Sequence, residues 1–171
     1  MTSPVILFGK TSDEYTNKVF ELRKRVNELG YEEKEEDLLI VPHLTFVFNK
    51  EFDEEKSESV KKIVADEMES LNVFSLRVFD YIDMEGNIAA RFDNSRSSKI
   101  AESFTEKLKS EGFSAVITDH MRLIRSIIKP EHVEEVKDMC FKNLPNEIEI
   151  SGVALSGKKI HKEDFIFEFN F

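Results

Sequence analysis

One cysteine, Cys140, stands in 171 residues, which excludes an internal disulfide and cannot by itself build a zinc site. It reads as a small apolar residue packed with Val133, Val136 and Met139 on the inner face of a helix. No apolar run approaches the length of a membrane span, and the amino terminus lacks the basic-then-apolar layout of a secretion signal. A soluble, cytoplasmic protein is therefore expected. Positive charge is also in short supply. The chain has 24 Lys and Arg against 34 Asp and Glu, and its formal net charge of −10 weighs against a long nucleic-acid footprint, whose phosphates are held by clustered cations. Neither a glycine-rich phosphate loop nor a His-Glu-x-x-His pair occurs, so no metal and no cofactor is expected. Linkers, low-complexity tracts and long repeats are missing too. The expected organisation is a single domain over residues 1–171.

What is present is core material and alternating elements. The chain is 40% hydrophobic with fifteen Phe, enough to bury one good core. Val5 to Phe8 reads as a strand, and Thr11-Ser12-Asp13-Glu14 as the capped start of a helix on which Tyr15, Val19, Leu22, Val26 and Leu29 share a face before Gly30 ends it. The acidic stretch Glu32 to Asp37 reads as a solvated loop. A second helix is expected over Asp53 to Leu71, then strands over Val73 to Ile82 and Asn87 to Phe92 joined by a turn at Met84-Glu85-Gly86. A third helix begins at Ser97 or Ser98 and stops at Gly112, and Pro130 opens a fourth. Glu147 to Leu155 and Phe165 to Phe171 close the chain as strands, with a solvent-facing turn at Ser156-Gly157-Lys158-Lys159 between them.

Two histidines carry the chemistry. His43 opens the run His43-Leu44-Thr45-Phe46-Val47-Phe48, and His120 opens His120-Met121-Arg122-Leu123-Ile124. Imidazole titrates near neutral pH, so one ring can take a proton while another, across a bound phosphate, gives one up. Side chains two apart on a strand share a face. Thr45 therefore accompanies His43 and Arg122 accompanies His120, adding a hydroxyl and a guanidinium suited to phosphate. Leu44, Phe46 and Phe48 form the opposite, buried face of the first strand, and Met121 and Leu123 that of the second. Arg125 falls in the buried parity class, so it is expected beyond the buried part of the strand or reaching out to solvent. Asp119 is expected to point away from His120, and His132 and His161 to lie on the surface. Tyr81, Phe8 and Phe48 are candidates to stack on a base, with core packing the default for the two phenylalanines.

Through His43-Leu44-Thr45-Phe46 and His120-Met121-Arg122-Leu123 the chain resembles the two-histidine (2H) phosphoesterase superfamily. That group includes bacterial 2′,5′ RNA ligase-like proteins, cyclic phosphodiesterases of RNA processing and viral enzymes that degrade nucleotide messengers. Its signature is two copies of His-x-Thr/Ser-x-apolar. The first copy matches fully, and the second departs at Arg122. The resemblance implies an α+β, bilobed fold: two antiparallel-rich sheets in pseudo-two-fold halves, flanked by helices around a central groove. It implies His43 and His120 as catalytic residues, Thr45 and Arg122 as substrate-binding residues, and no metal.

The reading that follows is a metal-independent phosphodiesterase acting on a small nucleotide phosphodiester, namely a 2′,3′-cyclic phosphate, a 2′,5′ linkage or a cyclic oligonucleotide. A viral or phage enzyme that removes an immune nucleotide signal is one form of it. Expected partners are a small nucleotide or short oligonucleotide, with no long nucleic acid and no membrane. The positive charge of Arg122 disfavours protonation of His120, which would make His120 the base and His43 the acid. The alternative is a catalytically impaired module that binds or sequesters a nucleotide in the same groove. A third reading is an interaction domain in which both histidines are incidental.

Overall fold

The computed structural model describes residues 1–157 and 159–171. In chain order the elements are β1 (Thr2–Thr11), α1 (Asp13–Asn27), α2 (Glu35–Leu38), β2 (His43–Asp53), α3 (Ser57–Met68), β3 (Phe74–Met84), β4 (Asn87–Phe92), α4 (Ser95–Leu108), β5 (Ser114–Ala115), β6 (His120–Ile124), α5 (Val133–Asn143), β7 (Glu147–Gly157) and β8 (Phe165–Asn170). Ser12 caps α1 by accepting the Tyr15 N–H, as the capping sequence predicts. Tyr15, Val19, Leu22 and Val26 are all buried along that helix.

The strands form one antiparallel path, β5-β2-β1-β7-β3-β4-β6, with β8 paired to β7. The path is a strongly curled half-barrel flanked by helices. Two sheets meet within β3. Its first residues, Phe74 to Arg77, pair with β7, and from Val78 onward it pairs with β4. A register shift between Val78 and Asp80 marks the crossing. A bulge of this kind bends its strand and raises the local twist, which lets one long strand serve both halves of the expected bilobed fold.

Consequently β2 and β6 are not neighbours: β1, β7, β3 and β4 stand between them in the ladder. Adjacency of the two histidine strands, the simplest arrangement for bringing the rings together, is replaced by curling. A second tie holds the far ends together. β5 pairs with β2 through Val47 and Phe48, and Val116 N–H donates to the Phe46 carbonyl at 2.8 Å. Five residue steps then carry the chain from Ala115 to His120, which bounds that crossing at about 17 Å.

Several boundaries differ from expectation. β2 continues to Asp53, and a tight turn at Glu54–Lys56 delays α3 to Ser57. The acidic stretch is not simply a solvated loop: it contains the single turn α2, whose residues are tied down by side chains from elsewhere. One of these is His161, whose Nε2 lies 2.6 Å from the Glu36 carbonyl, so this histidine is anchored rather than a free surface residue. Ser156 and Gly157 extend β7 instead of turning, and Lys158 lies outside the described residues. Cys140 is buried as expected, and burial pushes its thiol up to about 12. Among the described residues, no helix is long and apolar enough to cross a membrane.

Candidate active site

The site is built from the first residues of β2 and β6. Val41 N–H is held by the Ile160 carbonyl at 2.8 Å, and the Val41 carbonyl in turn accepts from His43 Nδ1 at 2.7 Å. A carbonyl only accepts, so Nδ1 carries the proton and Nε2 keeps a free lone pair. Phe8, opposite Thr45 in the β1–β2 ladder, sets its ring edgewise against His43 with centroids 5.5 Å apart. Phe8 is fully buried and so packs the imidazole rather than presenting a surface to a base. Tyr81 is buried as well, and Phe48 lines a different hollow with Asn49 and Lys56.

Burial pushes the His43 imidazole down to about 4, against the Val41 bond that favours its charged form, and the positive charges of Arg125, Arg23 and Arg122 push the same way as burial. His43 is thus neutral at physiological pH with an open acceptor. The arginines bear on His43, and this removes the basis on which Arg122 alone made His43 the acid.

On β6, Arg91 pairs with His120 and Ala89 with Arg122, and then Ile88 pairs with Ile124. Leu123 is left as an extra residue. That bulge inverts the alternation, so Leu123 and Ile124 are both buried and Arg125 comes to the same side as His120 and Arg122. Strict alternation had put Arg125 with the buried class. Two successive apolar residues before it were the available signal of a break.

Asp119 also departs from expectation. It sits at a bend just before β6, where strand alternation does not apply, and its Oδ1 lies 3.2 Å from His120 Nδ1. Thr118 stands on the other side, its Oγ1 3.3 Å from the same nitrogen and accepting the His120 N–H at 3.3 Å. These two residues face one ring nitrogen and leave Nε2 for a ligand. Thr118 also restores a hydroxyl beside His120, two residues before the ring instead of two after it.

His43, Thr45, Thr118, His120, Arg122 and Arg125 line one open groove of about 280 Å³. All four residues singled out from the sequence therefore converge, joined by Thr118 and Arg125, to which the sequence reading gave no place in the site. Arg122 is exposed at the groove and Arg125 half-buried. Neither forms an ion pair among the described residues, so both guanidiniums are available to an anion. His132 takes no part. Its Nδ1 lies 2.7 Å from the Tyr31 hydroxyl, away from the groove and not simply exposed. Among the described residues no three His, Cys, Asp or Glu side chains converge as a metal-binding group.

No family model matches the sequence, and no curated protein matches it. Solved structures do. E. coli LigT bound to 3′-AMP superposes with a TM-score of 0.60 at 11% identity, covering 100% of this chain and 99% of that one. A structure described as a phosphoesterase gives 0.56 at 11% identity over 100% and 99% of the two chains. Kluyveromyces marxianus Usb1 gives 0.52 at 10% identity over 99% and 98%. The chain has the two-histidine phosphoesterase fold. In this fold the curled sheet brings the first residues of β2 and β6 to one groove. The likeness runs over the full length of both chains even though barely one residue in nine is identical.

Proposed function

We propose that residues 1–171 form one domain that cleaves a small nucleotide phosphodiester in the His43–His120 groove, without a metal. The observation that carries this reading is the unlike pair of imidazoles in one groove with two unpaired arginines. His43 Nε2 is the base: it takes a proton from water or from a ribose 2′-hydroxyl as that oxygen bonds to phosphorus. His120, with Nδ1 against Asp119, gives its Nε2 proton to the oxygen whose bond to phosphorus breaks. Each turnover leaves His43 protonated and His120 neutral, and exchange with solvent resets both. This reverses the assignment drawn from Arg122 alone. Thr45, Arg125 and Arg122 hold the non-bridging oxygens and oppose the charge that builds on them.

Size supports a small substrate. A groove of about 280 Å³ is at the low end for small-molecule sites, and the excess of acid over base in the chain disfavours a polymer. LigT, whose fold this chain shares, has been solved with 3′-AMP and with ATP, which supports a nucleotide as the class of ligand. The finer choice lies among a 2′,3′-cyclic phosphate, a 2′,5′ linkage and a cyclic oligonucleotide. The test is product analysis after incubation with cyclic mononucleotides, 2′,5′-linked oligoadenylates and cyclic dinucleotides, with and without EDTA. Cleavage of one class, lost in His43→Ala and His120→Ala, is expected. Turnover of a cyclic signalling nucleotide alone would favour a viral or phage enzyme that removes an immune signal. Binding without cleavage would favour a sequestering module, and no binding at all would overturn both.

A further inference from the structure

Arg23 lies on α1, outside the groove, and is 1% exposed. Its Nε donates to the Leu123 carbonyl at 2.7 Å and its Nη1 to the Leu38 carbonyl at 2.9 Å, with a further bond from Nη1 to the Ile40 carbonyl. Nη2 is buried without an acceptor, and Arg23 forms no ion pair among the described residues. An arginine that served stability alone would be expected to meet a carboxylate, since a buried charge without one carries a large desolvation cost. The three carbonyls are not arbitrary. Leu123 is the bulge residue of β6, whose backbone the ladder leaves unpaired, and that bulge is what turns Arg125 into the groove. Leu38 and Ile40 belong to the segment that leads to Val41, whose carbonyl fixes the His43 ring.

We propose that Arg23 is a positioning residue that locks the two histidine strands to each other from behind the groove, holding the Arg125 bulge and the His43 tether at once. The proposal rests on the groove being a phosphodiester site. The guanidinium fork suits the task because its donors are rigid and diverge, so one side chain can serve carbonyls from two separate segments. An ammonium keeps the charge but not the fork. Burial pulls Arg23 down to about 10, with Arg125 adding to the effect and Glu33 and Tyr15 opposing it, so the group remains charged at neutral pH. Its charge also reaches His43, together with those of Arg125 and Arg122.

The test follows the ring protons of His43 and His120 by NMR while inorganic phosphate is added to the wild type, to Arg23→Lys and to Arg23→Met. In the wild type both rings should shift with one dissociation constant. In Arg23→Lys that constant should rise by roughly an order of magnitude, the cost of charge-assisted bonds lost at a positioned anion site. The His43 titration point should change little in Arg23→Lys and move upward in Arg23→Met, which lacks the charge. A purely structural arginine would lower melting temperature and leave both ring readouts unchanged in the folded variants; phosphate affinity within twofold in Arg23→Lys with an unmoved His43 in Arg23→Met overturns the proposal. Absence of any ring response in the wild type would instead sink the phosphodiester reading itself. If both variants fail to fold, the wild type still decides. The Arg23 Nε–H should resist solvent exchange and shift as phosphate fills the groove, and a freely exchanging or unmoved signal would count against the lock.

Discussion

The position of His43 makes a prediction about stability that needs no substrate. In an unfolded chain an imidazole takes its proton near 6.5; in the folded protein His43 does so at about 4. Between those two values the unfolded state binds the extra proton, so folding stability falls as pH drops through the window and the loss is complete just below pH 4. At about 1.4 kcal/mol per pH unit the displacement amounts to roughly 3 kcal/mol. The ring is part-buried at an open groove, so water entering there reduces the expected loss to about 2 to 3 kcal/mol. His43→Gln is neutral at every pH, and its amide can still donate to the Val41 carbonyl. Urea unfolding at pH 7.5 and pH 4 should show the wild type losing about 2 to 3 kcal/mol more than the variant across that interval, other acid effects being common to both. The same displacement puts the acid limb of kcat/KM near pH 4 rather than 6.5, because that parameter reports the free enzyme. Equal pH dependence in the two proteins, or an acid limb near 6.5, would refute both the burial argument and the assignment of His43 as base.

Other expectations follow from the same groove. His120→Ala should lower turnover by at least about 100-fold with circular dichroism unchanged, and EDTA should leave the wild-type rate as it is; restoration of a chelated enzyme by zinc or manganese would contradict the two-imidazole mechanism. Arg125→Ala should cost about 2 to 3 kcal/mol of transition-state stabilisation, read from kcat/KM. Arg122→Thr, at an exposed position and giving the second histidine motif the hydroxyl that Thr45 gives the first, should stay within about tenfold of the wild type; a gain of hydrolysis in Arg122→Thr where the parent has none would make the parent a binder. Away from the site, an added Cβ at Gly152 would run into the Phe169 carbonyl of the paired strand, so Gly152→Ala should destabilise the β7–β8 pair by about 1 to 3 kcal/mol, visible as a lower Tm.

Local signals were strong wherever one residue sets one feature. Ser12 stands at the cap of α1, Gly30, Gly86 and Gly112 occupy positive-φ positions, and Pro130 opens the turn before α5, all at or near the expected places. His43 and His120 begin their strands, as the apolar runs that they open predict. What sequence patterning could not show is long-range register. That β2 and β6 are separated by four strands yet share a groove depends on the curl and on the bulge inside β3, and a bulge is a property of two strands together. Asp119 was misplaced for the same reason, while Arg125, expected beyond the buried part of its strand, does lie just past β6, and only its turn into the groove was unforeseen. Alternation is a rule for paired, unbulged residues, and both lie where pairing shifts or stops.

The proposed division of labour between the histidines draws on those same irregularities as well as on the burial of His43. With β6 continued in strict alternation, Arg125 would point away from the groove, and His43 would lose one of the charges that add to the effect of its burial. The bulge at Leu123 brings Arg125 beside His43, α1 brings Arg23 up behind, and the bend at Asp119 lets a carboxylate reach His120 alone. Positive charge gathers on one imidazole and negative charge on the other. In the proposed mechanism two halves that each open a strand on a histidine become a base side and an acid side, chiefly through the burial of His43 and further through two local departures from regular strand geometry. Removing the bulge, for instance by deleting Leu123, should therefore do more than displace an arginine: with the Arg125 charge gone from the groove, the His43 titration point, followed by NMR, should rise part of the way toward that of an ordinary imidazole, burial holding the rest of its displacement.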